Sequence, residues 1–191
     1  MPHALTAQIV LPQLELLDRG RQIAFGIFML ERAMPLLMQF QKEVGWTGGG
    51  GLVRAALAQV WAALEADDDR YLRFLTEDHC DRALPDSEDF GPYVSAAIDT
   101  VDMACNLLAF LESGDTAGLV ECVERRQDTV WMMLPDEFIG SEVSHPFVTE
   151  EVAFLESDLS ALQSAPVKRS ELVTWVLERI DTQGYRALRL P

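Results

Sequence analysis

Asp99 and Asp102, three residues apart, are the side chains in this chain best spaced to do chemistry. Positions i and i+3 share a helix face, so both carboxylates project the same way and can hold a cation or join a buried ion pair. With Glu31 from a second apolar segment they have the makings of a carboxylate metal site of the kind found in helical bundles. Neither segment carries the Glu-x-x-His pair that such bundles add. An unpaired carboxylate between apolar helices is costly. The favoured expectation is a structural polar network of Glu31, Arg32, Arg54, Asp99 and Asp102, in which Arg32 or Arg54 neutralises Asp99 or Asp102, with no metal and no cofactor.

Other reactive residue types form weaker patterns. Asp78-His79-Cys80-Asp81 has metal-binding side chains, but neighbours on a helix diverge and no second His or Cys cluster completes the set. His3, His79 and His145 are scattered, and no Ser or Cys has the local signature of an activated nucleophile. No catalytic residue is expected. Gly48 to Gly51 opens a helix without the Gly-Lys-Ser/Thr of a phosphate loop, so it reads as a flexible joint.

The elements that must position these groups are helical. Apolar residues recur at three- and four-residue steps, alternating runs are missing, and no hairpin signal is present. The spacing predicts helices over Leu11–Ala33, broken or kinked at Pro35 and continued over 36–44, then Leu52–Leu64, a short one over Arg70–Cys80, and Tyr93–Ser113. Three more follow: one capped by Asp115 and stopped before Pro135, one over Phe147–Ser164 and one over Ser170–Gln183. Residues 1–191 are expected to form one all-α domain, a bundle of seven or eight helices around the two most apolar ones, which begin near Ile23 and Tyr93. The longest uninterrupted apolar run, Ile23–Leu30, falls short of the ~20 residues that span a bilayer, and no signal peptide is evident. A cytoplasmic protein with free thiols at Cys80, Cys105 and Cys122 is expected.

Several ordered blocks, Phe25, Glu31-Arg32, Pro35, Phe40, Arg54, Trp61, Pro85-Asp86, Asp89-Phe90 and Ala97-Ile98-Asp99, resemble the YjaG-like family of bacterial proteins of unknown function. The resemblance covers roughly residues 14–112 and matches the C-terminal third poorly. It implies an all-helical cytoplasmic bacterial protein and brings no activity with it.

Charge separates the remaining function classes. The chain has 31 acidic and 15 basic residues, a net charge of −16, which disfavours nucleic acid and anionic membranes and favours a basic protein partner. Glu65–Asp89 holds ten acidic and three basic residues, a net of −7, and Gln127–Val167 eight acidic and none basic, a net of −8. If these stretches converge, Asp86, Glu88, Asp89, Asp136, Glu137 and Glu142 form a partner-binding patch. The expected function is non-enzymatic binding of a basic protein, most concretely as an immunity or antitoxin-like inhibitor of a bacterial toxin. The alternatives are a metal-dependent enzyme centred on Glu31, Asp99 and Asp102, and a self-associating structural or regulatory subunit.

Overall fold

The computed structural model describes residues 6–66, 73–76, 79, 83–85 and 93–189. Its longest helix begins where the Asp18 carboxylate accepts the Arg21 backbone N–H at 3.1 Å, satisfying one of the donors left over at a helix start. That cap divides the helix expected from Leu11 into α1 (Ala7–Glu15) and α2 (Arg19–Val44). α2 then continues through Pro35 instead of ending there. Proline in a helix interior costs about 3 kcal/mol. Beyond it Leu36, Leu37 and Phe40 are buried, each contributing roughly 1.5–3 kcal/mol, so the longer helix wins. It stops at Gly45, whose φ of +68° suits only glycine well.

Gly49 and Gly50, in the middle of the glycine run, are buried and packed instead of forming a flexible joint. A Cβ on Gly50 would lie 1.9 Å from Nε2 of Gln41, and one on Gly49 would lie 2.6 Å from the Ala83 carbonyl oxygen. Only glycine lets α3 (Gly50–Glu65) start this close to its neighbours. On α3, buried Gln59 holds a segment outside the helices: its Oε1 accepts the backbone N–H groups of Phe74 and Leu75, each at 3.0 Å, and its Nε2 donates to the Leu75 carbonyl at 3.0 Å. Of the helix expected over Arg70–Cys80, Arg73–Thr76 is therefore not helical, His79 is, and the rest lies outside the described residues. Three good hydrogen bonds from one side chain outweigh the weak helical pattern there.

The second half follows its periodicity more closely, as α4 (Val94–Ser113), α5 (Ala117–Met132), α6 (Pro146–Gln163) and α7 (Arg169–Gln183). Short 3-10 turns at Asp136–Phe138 and Glu142–Ser144 fill the loop before α6. Asp115 accepts the Ala117 N–H at 2.9 Å, at the start of α5. The described residues form seven α-helices and no strand, so the fold is an all-α bundle.

α2 touches α3, α4, α5, α6 and α7, and α4 packs on α2, α3 and α5, which makes these two the centre of the bundle. One apolar core draws on all seven helices, and a smaller cluster of Val130, Phe147 and Val148 sits under the α5–α6 loop. By length and composition over an 18-residue window, α2 and α4 are apolar enough to cross a bilayer, a property that the uninterrupted run alone does not show. In this fold 83% and 67% of those windows are buried against the rest of the chain, the placement of core helices. Cys105 and Cys122 are buried, the Cys122 thiol against the Met103 carbonyl at 3.5 Å, and Cys80 lies outside the described residues.

Candidate functional site

The N-terminal part of α4 and the C-terminal part of α5 lie together along a cleft of about 320 Å³ lined by Ser95, Ile98, Asp99, Asp128, Trp131 and Met132. Asp99 is buried because it sits among Ala96, Ala97, Thr100 and Met103 on a helix apolar around most of its girth. Its Oδ2 accepts the Thr129 hydroxyl of α5 at 2.7 Å. Burial pushes its pKa up to about 6, against the pull of that hydrogen bond and of Arg125, and with added repulsion from Asp128 and Asp102. Arg125 lies 3.5 Å from Asp102 and 3.8 Å from Asp128. The indole N–H of Trp131 is buried and has no acceptor among the described residues.

This cleft has acid at its base, apolar and aromatic walls, and Met132 70% exposed on one side. Such a lining suits the stem and charged head of a lysine or arginine side chain. The chain continues from Met132 into the loop carrying exposed Asp136 and Glu137 and an Ile139 that is 77% exposed. That loop is ordered by its own contacts. The Phe138 and His145 rings meet edge to face at 4.5 Å, and Glu142 accepts the Gly140 N–H at 2.7 Å, which holds its carboxyl below the usual range. Glu142 and His145 have Glu-x-x-His spacing, but His145 accepts the Phe147 N–H at the start of α6, so both are occupied by backbone.

The structure divides the five residues expected to share one polar network. Asp99 and Asp102 face α5, where Thr129 and Arg125 are their partners. Glu31 takes a bidentate pair from Arg186 at 2.8 and 2.9 Å and the Trp61 indole N–H at 3.4 Å. Arg32 pairs with Asp158 and lies 3.5 Å from Glu151, both on α6. Arg54 is exposed on α3. Arg32 turns to α6 because Glu151 and Asp158, seven residues apart with Leu155 between them, lie on that helix's buried side.

Residues outside the sequence expectation complete this second centre. Arg126 donates to Glu151 at 3.0 Å, Arg179 to Asp158 at 2.9 Å, and the Tyr185 hydroxyl to Asp158. Burial would raise the Glu151 pKa, but Arg126 and Arg32 beside it bring it below the usual value. The signal for Arg126 was its register with Leu119, Val123 and Val130; that for Asp158 was its register with Leu155 and Leu162. Glu151 and Asp158 therefore leave the surface count of the Gln127–Val167 stretch. Asp86, Glu88 and Asp89 lie outside the described residues. Among the described residues no three His, Cys, Asp or Glu side chains form a metal-sized group, and Glu31 is not brought to Asp99 and Asp102.

A family model described as a protein of unknown function, DUF416, matches residues 10–188. The chain belongs to the DUF416 family. The match takes in the C-terminal third, which the resemblance over residues 14–112 leaves out. A solved DUF416 family protein from Shewanella baltica OS155 is similar over 94% of this chain and 97% of its own, with a TM-score of 0.75 and 20% identity. At that identity the likeness speaks for the DUF416 fold alone. No curated protein matches this chain.

Proposed function

We propose that this DUF416 protein is a non-enzymatic binder of a basic protein, and that it docks through the α4–α5 cleft and the loop that follows. The supporting observation is the cleft itself, where buried Asp99 and half-exposed Asp128 face Ile98, Trp131 and Met132 in a space large enough for a long cationic side chain. Asp136 and Glu137 extend the acidic surface, while exposed Met132 and Ile139 offer apolar anchors. A mixture of acid for steering and a few large apolar contacts for affinity is the usual make-up of a charged protein interface.

Within that reading, an immunity or antitoxin-like inhibitor of a basic toxin in the bacterial cytoplasm is the most concrete form, and the YjaG-like grouping is the finer affiliation. The test is to isolate the protein with its partner at low salt, identify that partner, and remix purified components. Replacing Asp128, Asp136 and Glu137 together with Lys is expected to slow association by tenfold or more at low salt, with the difference shrinking at high salt. Glu142 is left in place because its carboxylate holds the Gly140 turn. An unchanged association rate would remove the basis for this docking face.

A further inference from the structure

The lining of the α4–α5 cleft distinguishes between the two long cationic side chains. Asp99 is buried at its base, where the Thr129 hydroxyl takes Oδ2 at 2.7 Å and leaves Oδ1 for a second donor. Asp128 is half-exposed at the rim, and Ile98, Trp131 and Met132 supply the walls. The Trp131 indole nitrogen is itself buried, so this ring presents carbon surface to whatever enters.

A lysine ammonium suits such a lining poorly. It is a compact, strongly hydrated charge that gives up much of its water between apolar walls. A guanidinium is planar and weakly hydrated, lies on aromatic carbon, and has five donors in a fork that can serve Asp99 and Asp128 together. Arg125, the guanidinium already nearby, is directed to Asp102 at 3.5 Å and Asp128 at 3.8 Å and is not part of the cleft wall. It offsets one of three carboxylates and leaves the site negative.

We propose that the α4–α5 cleft is an arginine subsite, which takes one guanidinium side chain of the basic partner in preference to a lysine. This rests on the docking reading above and names the residue that the partner brings. A proton competes with that guanidinium for Asp99. Burial lifts the carboxyl to about 6, against Thr129 and Arg125 and with Asp128 and Asp102, and no group of α2 or α3, which also pack on α4, is among these. Roughly a tenth of the molecules keep the Asp99 charge at pH 5.

The test uses the full chain and two probes of equal charge, N-acetyl-arginine amide and N-acetyl-lysine amide, titrated at fixed ionic strength while NMR follows the amide shifts of residues 95–99 and 128–132. At pH 7.5 the arginine probe is expected to bind about fivefold tighter than the lysine probe or better, and to weaken about tenfold on going to pH 5. Asp99→Asn keeps an acceptor for Thr129; it should weaken the arginine probe about tenfold at pH 7.5 and abolish the pH dependence, which a merely structural role would not do. Trp131→Leu should bring the two probes within about twofold of each other. Equal affinities in the native chain, shifts elsewhere only, or free L-arginine binding tighter than the capped form, the mark of a free amino acid site, each overturn it. If the partner depends on Asp128, Asp136 and Glu137 while capped arginine binds no better than capped lysine, only the arginine subsite falls. If the partner is indifferent to those three residues, the docking reading falls and takes the subsite with it.

Discussion

Asp99 and Glu151 are both buried carboxylates, yet they respond to acid in opposite directions. Burial lifts Asp99 from 3.8 to about 6, so between about pH 4 and 6 the folded chain holds more protons there than the unfolded chain, and this group's contribution to stability falls as pH rises. Glu151 is held below 4.5 by Arg126 and Arg32; its contribution is present above that value and is lost as pH falls through the folded pKa. Asp99→Asn keeps an acceptor for Thr129 and is expected to raise stability at pH 7 by roughly 1–3 kcal/mol in urea unfolding, with the gain gone by about pH 4. No gain at pH 7 would mean that Asp99 is not held in a desolvated site. Asp158→Ala strands the donors of Arg32, Arg179 and Tyr185 together and should cost about 3–5 kcal/mol. Glu137→Ala, on the exposed loop, should change stability by less than about 0.5 kcal/mol. Asp99 was legible as a special residue from its stripe on an apolar helix; its partner was not. Sequence spacing fixes the face a side chain occupies, whereas the choice between Arg32 on α2 and Thr129 on α5 depends on which helices meet.

Helix faces were readable because burial imposes a 3.6-residue period, and α4 to α7 lie within a few residues of where that period puts them. Local exceptions were hidden where one contact overrides propensity: Asp18 starting a new helix, Pro35 held inside α2, and Gln59 taking the backbone groups of Phe74 and Leu75. The glycines show the difference best. Gly51 has nothing within 4 Å of a built Cβ and is exposed in α3, so Gly51→Ala should stabilise by up to about 1 kcal/mol. A Cβ on Gly49 would lie 2.6 Å from the Ala83 carbonyl oxygen, and Gly49→Ala should destabilise by about 1–3 kcal/mol. Thermal midpoints of the two variants, taken side by side, check the packed reading; equal midpoints would restore the flexible joint.

At the scale of the whole molecule the acid excess is divided by the fold. Glu151 and Asp158 are drawn inward to arginines, while Asp99 and Asp128 line an open cleft and the chain runs on into the loop of Asp136 and Glu137. Total charge was plain in the sequence. Its division was not, because it depends on which acidic residues share a register with buried leucines. The most direct measurement of the central claim is the dissociation constant, by calorimetry at pH 7.5, of the basic protein that co-purifies at low salt, compared between two variants of equal charge. Asp99→Asn with Asp128→Asn should weaken binding at least tenfold, and Glu43→Gln with Glu178→Gln, exposed on other helices, should change it less than about twofold. Equal weakening in both pairs, or none in the first, would contradict the account.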